Sequence, residues 1–385
     1  MSFARRMQHI KPFHVMELLA KAQALERAGR DIVHMEVGEP DFPTPAPIVA
    51  AAQAQLTTGE IFYTSALGLP ELRAAISRHY AEHYGCDVPM ERIVITTGAS
   101  AALIIALGAC VDRDEEWLLP DPSYPCNANF VHLFEGKVRR IVTSPENGFQ
   151  PSIADVENAW TARTRGLLLA SPANPTGTLI PTATMRGLHH AVSRHGGTLM
   201  VDEIYHGLTY GRDAETACAI SDDIYVINSF SKYFGMTGWR LGWLVVPPND
   251  LREIEKLAQN LYIAPPTLAQ HAALAAFTPE CKTILEARRH IFAERRDVLI
   301  AGLEQLGFRI ATPPDGAFYV YANIGTLAED SHELAQALLE EAGVAATPGL
   351  DFGTHGAKCH MRFAYTTDTA RLKEGLLRMA TFFRK

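Results

Sequence analysis

Short apolar runs recur through the middle of the chain and alternate with segments of helical spacing. The runs are rich in Val, Ile and Leu, and they span residues 93–97, 117–119, 138–142, 167–170, 198–201, 224–228 and 241–246. Continuous apolar runs of this kind are typical of strands buried on both faces of a sheet. Together with the intervening helices they predict an α/β fold, in which a large domain has a seven-stranded, mainly parallel sheet sandwiched by helices.

Two of the intervening helices carry signals at their ends. Ser152 and Asp155 have the spacing of a capping box, which predicts that a helix begins there. A second helix is predicted over residues 184–195, because Gly196 and Gly197 follow it and glycine commonly ends a helix.

The pattern changes after Pro279. Residues 281–306 predict one long helix whose apolar pairs recur every seven positions, over too few heptads for a coiled coil, so we expect a helix that links two domains. The elements expected after it are a strand at 318–322, a helix at 331–342, a strand at 360–365 and a final helix capped by Asp368. They predict a smaller α+β domain. Residues 36–47 are rich in Pro and Gly and predict a loop between an N-terminal helix and the sheet.

Composition narrows the classes of function. The chain has 385 residues, a formal net charge of -8 and 47% hydrophobic residues, which is typical of a globular protein with more than one domain. Lys and Arg are scattered rather than gathered into a basic stripe, and we therefore expect no nucleic-acid partner. No stretch of 18 apolar residues occurs and residues 1–12 lack a signal-peptide core, so we expect a cytoplasmic protein without a membrane partner.

The six cysteines are widely spaced, without a CxxC pair, and the fifteen histidines form no HExxH motif. We interpret the cysteines as buried thiols of a reducing compartment, and we expect no metal site. The six are Cys86, Cys110, Cys126, Cys218, Cys281 and Cys359.

Polar residues follow several predicted strands, at the positions where ligands bind in parallel α/β sheets. Gly98-Ala99-Ser100 directs backbone N–H groups and a hydroxyl at an anion, although an ordinary strand-to-helix turn has the same residues. Asn174 precedes a proline and can present its amide to a ligand or form a turn. Asp202, followed by Tyr205, is costly to bury without a cation or several donors, unless it caps the next helix.

The segment 228–240 carries the strongest chemical signal. Lys232 comes directly after a predicted strand among apolar and hydroxyl neighbours, where the neutral amine that forms Schiff bases is favoured over the ammonium. The alternative is an exposed surface lysine. Ser229, Ser231 and Arg240 favour the first interpretation, because they supply the donors that a phosphate needs.

In combination these motifs resemble one family. Over nearly its whole length the chain is similar to the pyridoxal-phosphate-dependent aminotransferases of class I/II, which have fold type I. The resemblance rests on the SFSK segment with an arginine eight residues after its lysine, on NPTG at 174–177 and on Asp202-x-x-Tyr205. It extends from the GEPDF segment that begins at Gly38 to the MRF segment that ends at Phe363. It implies pyridoxal 5'-phosphate as cofactor, and amino acids and 2-oxo acids as substrates.

The resemblance assigns a role to each residue near the cofactor ring. Lys232 would hold the cofactor as a Schiff base and then move a proton between the substrate alpha carbon and the cofactor. Asp202 would keep the ring nitrogen protonated, and Tyr124 would stack on the ring. Tyr205 and Asn174 would hydrogen-bond the phenolic oxygen of the ring.

By the same resemblance, the cofactor phosphate would be bound by Ser100, the backbone near Ala99, Ser229 and Arg240. Ser231 is a weaker candidate for that site. Tyr63 resembles the tyrosine that reaches the phosphate across a subunit interface, which implies a homodimer with shared active sites.

The substrate side of the site follows from the C-terminal part of the resemblance. Arg362 would clamp the substrate alpha-carboxylate, although an arginine inside a strand can also form a structural ion pair. Asn174 would contact the substrate too, and Gly38 would lie on the loop that closes over it. Small neutral or hydrophobic amino acids are expected, because the side-chain contacts expected from Phe13, Val15 and Ile263 are apolar.

The resemblance also implies a division into domains. Residues 1–45 would belong to the small domain, 46–278 would form the large cofactor-binding domain, and 279–385 would complete the small domain with the long linking helix.

The leading hypothesis for function is transfer of an amino group from an L-amino acid to a 2-oxo acid (EC 2.6.1.-). A carbon-sulfur β-lyase uses the same machinery on the same fold and is the enzyme alternative. A non-catalytic effector domain is the third hypothesis. It would need an N-terminal winged helix, for which the 37 residues before Gly38 are too few.

Overall fold

The computed structural model describes residues 3–10, 12 and 14–384. The α-helices are α1 (His14–Arg27), α2 (Ala46–Thr58), α3 (Pro70–Tyr84), α4 (Gly98–Cys110), α5 (Pro125–Leu133), α6 (Ile153–Ala159), α7 (Thr182–Arg194), α8 (Leu251–Leu261), α9 (Thr267–Ala273), α10 (Pro279–Gln305), α11 (Ser331–Ala337) and α12 (Thr369–Phe383). The strands are β1 (Val33–His34), β2 (Ile93–Thr96), β3 (Glu116–Asp121), β4 (Lys137–Val142), β5 (Thr164–Ala170), β6 (Thr198–Asp202), β7 (Tyr225–Ser229), β8 (Gly242–Val245), β9 (Tyr319–Asn323), β10 (Val344–Ala345), β11 (Thr347–Pro348) and β12 (His360–Ala364).

The seven predicted strands of the large unit form one sheet in the order β2-β8-β7-β6-β5-β3-β4. Strand β8 runs antiparallel to both of its neighbours, and the pairings from β7 through to β4 are parallel. Residues of β3, β5, β6 and β7 are almost all buried, because helices cover both faces of the sheet. The predicted α/β class and the mainly parallel seven-stranded sheet are confirmed.

Strand β4 departs from the prediction that all seven strands are buried. It lies at the edge of the sheet, and within it only Ile141 is buried. An edge strand has a neighbour on one side alone, so Lys137 and Arg139 reach solvent from it.

The carboxyl ends of β3, β5, β6 and β7 lie at one edge of the sheet, because these strands are parallel. The segments that begin at these ends are 121–124, 171–174, 202–205 and 229–232. They contain most of the residues that the sequence marks as chemically active, so the topology brings those residues together.

A second body of structure is built from both ends of the chain. Strand β1 pairs with β10 in parallel, while β11, β12 and β9 form an antiparallel sheet in which Arg362 lies opposite Thr347. One hydrophobic cluster joins α1, α10, α12 and these strands. The predicted long helix is α10. The helix expected over 331–342 ends as an α-helix at Ala337 and continues as one wider π-helical turn.

The helix-end signals are confirmed for α6. Ser152 accepts a hydrogen bond from Asp155 N–H and Asp155 accepts one from Ser152 N–H, which is the capping box. Asp368 likewise caps α12 by accepting from Arg371 N–H at 2.8 Å.

The cysteine prediction is only half right. Cys86, Cys218 and Cys281 are buried, whereas Cys110 and Cys126 are partly exposed and Cys359 is exposed. Cys359 is exposed because it lies in a surface turn, immediately before β12. Within the described part of the chain, no helix combines the length and the apolar character that crossing a membrane requires.

Candidate active site

A cavity of about 430 Å³ opens at the carboxyl edge of the large sheet. Eleven residues predicted from the sequence to form the site lie in its wall. They are Gly38, Ala99, Ser100, Tyr124, Asn174, Asp202, Tyr205, Ser231, Lys232, Arg240 and Arg362. These residues come from the large sheet and its connections, from α4, from β12 and from the loop after β1, so the cavity lies between the two bodies of structure.

Lys232 follows β7 and reaches into this cavity. Its Nζ donates a hydrogen bond to the Gly38 carbonyl at 2.7 Å and lies 5.6 Å from the centre of the Phe318 ring. Burial lowers the pKa of Lys232 to about 8, opposed by the carboxylate of Glu39 and assisted by the positive charges of Arg362 and Arg240. The amine is therefore neutral in a larger fraction of molecules than a surface lysine would be.

Asp202 ends β6 and is buried. Its Oδ1 accepts a hydrogen bond from Ile204 N–H at 3.0 Å. Burial raises the pKa of the carboxyl to about 7, against the opposing effects of the Ile204 N–H and of Lys232. A cationic ligand group beside Asp202 would lower that pKa and hold the carboxyl ionised.

Arg240 and the start of α4 form a site for an anion. Arg240 has a positive φ of 53° and donates from Nη1 to the Thr237 carbonyl at 3.0 Å. A Cβ on Gly98 would stand only 2.7 Å from Arg240 Nη2, and Gly98 itself has φ +79°, so glycine is required where the guanidinium meets the helix. Ser100 lies one turn into this positive end of α4.

The two serines before Lys232 are placed differently from the prediction that ranked Ser229 first. Ser231 lines the cavity, and Ser229 is not part of the described lining. The Ser229 hydroxyl lies 2.9 Å from Ser231 Oγ and 3.0 Å from the Leu241 carbonyl, and it accepts from Ser231 N–H at 3.0 Å. Ser229 therefore holds Ser231 in place by hydrogen bonds without itself lining the cavity.

Arg362 is held rigidly in β12. Nη1 donates to Asn174 Oδ1 at 3.0 Å, and Nη2 donates to the Glu36 carbonyl at 2.5 Å and to Thr347 Oγ1 at 3.3 Å. Its guanidinium also stacks over two rings, those of Tyr319 at 4.2 Å and Phe352 at 4.8 Å. These contacts fix the plane of a cation that faces the cavity.

Tyr319 is a wall residue that sequence reasoning missed. Its hydroxyl lies 3.0 Å from that of Tyr205, and a Cβ on Gly38 would stand only 2.0 Å from it. The glycine at 38 thus makes room for this tyrosine. A strand was expected at 318–322. Its alternation of apolar residues does not predict that the Tyr319 side chain contacts Tyr205, which lies more than a hundred residues earlier in the chain.

Apolar residues of α1 line another part of the wall. Val15 was expected there, whereas Met16 and Leu19 were not. Ile263, also expected at the substrate, is 57% exposed and absent from the described lining. Phe13 lies outside the described residues.

Tyr124 and Tyr63 contrast in placement. Tyr124 lines the cavity at the start of α5, and burial raises the pKa of its phenol. Tyr63 is 81% exposed and does not contribute to the described wall.

The arrangement combines a destabilised amine, a buried carboxyl, an anion site and a fixed arginine in one cavity. A family model described as aminotransferase class I and II matches residues 30–378. The chain belongs to the class I and II aminotransferase family. Members of this family depend on pyridoxal phosphate.

Individual proteins similar to this chain are also aminotransferases. The valine–pyruvate aminotransferase of Mycobacterium tuberculosis is 37% identical over 378 residues, which cover 97% of this chain and 96% of the relative. The aspartate/prephenate aminotransferase of Thermus thermophilus is 35% identical over 380 residues, which cover 98% of this chain and 97% of the relative. A crystal structure of an aminotransferase from Mycobacterium tuberculosis superposes with a TM-score of 0.96, at 37% identity, covering 100% of this chain and 99% of the other.

The fold is therefore that of the fold type I aminotransferases, and the activity is amino-group transfer (EC 2.6.1.-). Both named relatives are aminotransferases, and nothing in these similarities favours the β-lyase alternative.

Proposed function

We propose that this aminotransferase holds pyridoxal phosphate on Lys232 and uses it to move amino groups between amino acids and 2-oxo acids. The observation that carries the proposal is that Lys232 and Asp202, which follow neighbouring strands, face one cavity whose wall also contains Arg240. The family does not by itself assign these residues, so their roles are inferred from geometry and chemistry.

The residues present fit the cofactor. Arg240, Ser231 and the N-terminus of α4 offer positive charge and donors to a phosphate. Asp202 is a buried carboxyl with a pKa of about 7, and a cationic ring nitrogen beside it would favour its ionised form. The cavity, at about 430 Å³, has room for a phosphorylated pyridine ring and a small substrate.

When bound, pyridoxal phosphate supplies an aldehyde carbon that takes the amino group and a ring that withdraws electrons from the substrate. Lys232 would hold that carbon, and its lowered pKa raises the fraction of neutral amine that can accept a proton from the substrate alpha carbon. Asp202 would stabilise positive charge at the ring nitrogen, and Tyr124 and Tyr205, which line the same cavity, would hold the ring by packing and by a hydroxyl group.

Arg362 binds the substrate alpha-carboxylate. Its hydrogen bonds to Asn174 and Glu36, with the rings on its faces, fix the guanidinium before substrate arrives. Positioning the carboxylate there leaves the alpha carbon within the cavity that contains Lys232. Gly38 lies on the loop beside both residues, since its carbonyl accepts from Lys232.

We assign small neutral or hydrophobic amino acids as preferred substrates. Val15, Met16 and Leu19 give the wall an apolar surface. Among the described residues lining the cavity, the cations are Lys232, Arg240 and Arg362. Each of them is assigned to another group, so none is left to bind a second carboxylate on the side chain of an acidic substrate. The two relatives named above act on different substrates by name, so they support transfer without choosing the side chain.

A homodimer with shared sites accounts for Tyr63. The segment around it exposes Phe62 and Tyr63, which are 75% and 81% exposed, and Thr267 Oγ1 donates to the Phe62 carbonyl at 2.6 Å. The chain also exposes Leu261 and Ile263, by 52% and 57%, and these four residues are the apolar surface of the proposal. A second subunit would cover it and direct Tyr63 to a neighbouring phosphate. The domain boundaries at 45/46 and 278/279 and a cytoplasmic location belong to the same proposal.

An amino-donor screen tests the function. The purified protein, supplied with pyridoxal phosphate, is incubated with single L-amino acids against pyruvate and against 2-oxoglutarate, and product amino acids are measured. Transfer with alanine, valine or leucine exceeding that with aspartate is the expected result. Release of ammonia and a 2-oxo acid without an acceptor would instead indicate a lyase, and preference for aspartate would refute the apolar assignment.

A further inference from the structure

A second cavity, of about 250 Å³, lies between α3, α10 and the segment that follows β6. His206 lines it and is the chain neighbour of Tyr205, and Tyr233 lines it and is the chain neighbour of Lys232. The two cavities thus share two stretches of backbone. The proposed transfer chemistry uses none of the side chains in this second wall.

Aromatic rings form the wall of this cavity. His79 and His83 stack with ring centres 5.2 Å apart and planes 13° apart. The His79 ring also lies 5.5 Å from that of Phe277 and 6.2 Å from that of Phe234. Flat rings at such spacings favour a flat aromatic ligand, which packs by offset or edge-on contact.

In the ring-lined part of the wall, the polar atoms belong to uncharged hydrogen-bonding groups. His79 Nδ1 is buried and has no hydrogen-bond partner among the described residues. Asn228 uses Oδ1 to accept from Ser229 N–H at 2.7 Å, which leaves its amide nitrogen as a donor. Burial lowers the pKa of His79 and of His206 to about 3, so both imidazoles are neutral at physiological pH.

Three of the four charged residues in the described lining are already paired, and the fourth, Asp213, is exposed to solvent. Arg289 donates from Nε to Glu286 Oε2 at 2.8 Å, and Lys282 lies 3.5 Å from the carboxylate of Glu82. A charged ligand would have to break one of these pairs or enter the ring-lined part without a counter-ion, and both are costly. An uncharged ligand meets neither cost.

We propose that this second cavity is a binding site for a small, uncharged, planar aromatic molecule that carries a hydrogen-bonding group, of the aromatic amide class. Tyr233 links the cavity to the active site. Its hydroxyl donates to Glu286 at 2.6 Å, and its ring packs so closely on Gly207 that a Cβ there would stand 2.5 Å from it. Tyr233 and His206 lie next to Lys232 and Tyr205 in the chain, so a ligand in this cavity contacts the same two segments that carry those residues.

Benzamide is the probe, with benzoate and benzylammonium as charged analogues of nearly the same shape. Binding to the full-length protein loaded with pyridoxal phosphate is followed by ligand-observed NMR titration. His79→Phe keeps a ring and removes the hydrogen-bonding nitrogens, His83→Phe is a second variant of the same wall, and His189→Phe on α7 is the matched control. Arg362→Ala tests whether the probe occupies the first cavity. Melting temperatures show which variants fold.

Saturable benzamide binding with a Kd of about 1 mM or tighter is expected, with at least about tenfold weaker binding of both charged analogues. His79→Phe or His83→Phe should weaken benzamide binding about tenfold, while His189→Phe and Arg362→Ala leave it unchanged. The proposal is overturned by absence of saturation, by equal binding of a charged analogue, by loss of binding in Arg362→Ala, or by unchanged binding in both wall variants. Amino-group transfer measured in parallel reports separately on the active site.

Discussion

The carboxylate of Asp351 accepts a hydrogen bond from the backbone N–H of Val15 at 2.8 Å, which ties the turn after β11 to the first turn of α1. The other oxygen of the same carboxylate accepts from His14 N–H at 2.9 Å. A side chain 336 positions away thus caps a helix whose residues Val15, Met16 and Leu19 line the active-site cavity. The position of this part of the cavity wall depends on this contact.

Asp351→Ala should therefore loosen substrate selection. Loss of a helix cap costs about 1 kcal/mol, so we expect KM for valine or leucine to rise roughly fivefold while KM for alanine, which reaches the wall least, changes by less than about twofold. Steady-state kinetics with the three donors measure this. Asp368→Ala removes the comparable cap of α12, away from the cavity, and is the control. Equal changes in the two variants, or for all three donors, would contradict the positioning role.

Lys232→Ala should abolish amino-group transfer and leave the fold intact. The amine is the group proposed to bind the cofactor and to move the proton, and removing one amine that points into a cavity does not disturb the hydrophobic core. Visible absorbance, its sensitivity to borohydride, and circular dichroism follow cofactor attachment and fold. Retained transfer together with an unchanged absorbance band would show that another residue does this work.

Asp202→Asn should retain the cofactor but lose at least about tenfold in rate, or about 1.4 kcal/mol in the barrier. An amide can hydrogen-bond the ring nitrogen, but it does not favour the protonated form as a carboxylate does. Half-reaction kinetics with a good amino donor are the measurement. A rate within about twofold of the unchanged protein, about 0.4 kcal/mol, would remove Asp202 as the electrostatic partner.

His34 should make stability depend on pH in the alkaline range. Its Nδ1 lies 2.7 Å from the buried carboxylate of Glu36, and this contact, with a smaller contribution from Glu26, raises the pKa of His34 to about 9. A raised pKa stabilises the fold fully below the unfolded value of about 6.5, and the stabilisation is lost as pH rises through 9. After allowance for solvent screening the effect is roughly 1 kcal/mol.

Melting temperatures of the unchanged protein and of His34→Gln, taken from pH 6 to pH 10 at one protein concentration, measure it. The difference between the two should be largest near pH 6 and should shrink towards pH 10. His190→Gln, at an exposed position of α7, is the control. A difference that stays constant or grows with pH would refute the ion pair.

Mixing two inactive variants tests the shared site. Tyr63→Phe and Lys232→Ala subunits, combined and allowed to exchange, form hybrid dimers in which one site carries both changes and the other carries neither. Activity that returns on mixing is the expected result. If Tyr63→Phe is inactive alone and mixing restores nothing although exchange is demonstrated by mass spectrometry, Tyr63 does not act across the interface.

The sequence by itself determines the sheet and the residues next to Lys232. Strands buried on both faces are apolar throughout, so the six strands other than the edge strand β4 appear as apolar runs, and the segment 228–240 keeps Lys232 and Arg240 only eight residues apart. The start of α6 is equally local, because its capping box lies within four residues, whereas the cap of α1 comes from the distant Asp351. The family resemblance adds the long-range residues, such as Arg362, that local pattern alone does not connect.

The tertiary structure decides which distant groups touch. Asn174 meets Arg362 across 188 positions, Gly38 meets Lys232 across 194, and Tyr319 meets Tyr205 across 114. It also decides that Ser231 faces the cavity with Ser229 behind it, and that β4 is an exposed edge. The local sequence pattern reflects only how well each residue fits its own helix or strand. Contacts between elements depend on strand order and on how the sheets and helices pack, and those follow from burying every apolar face of the chain at once.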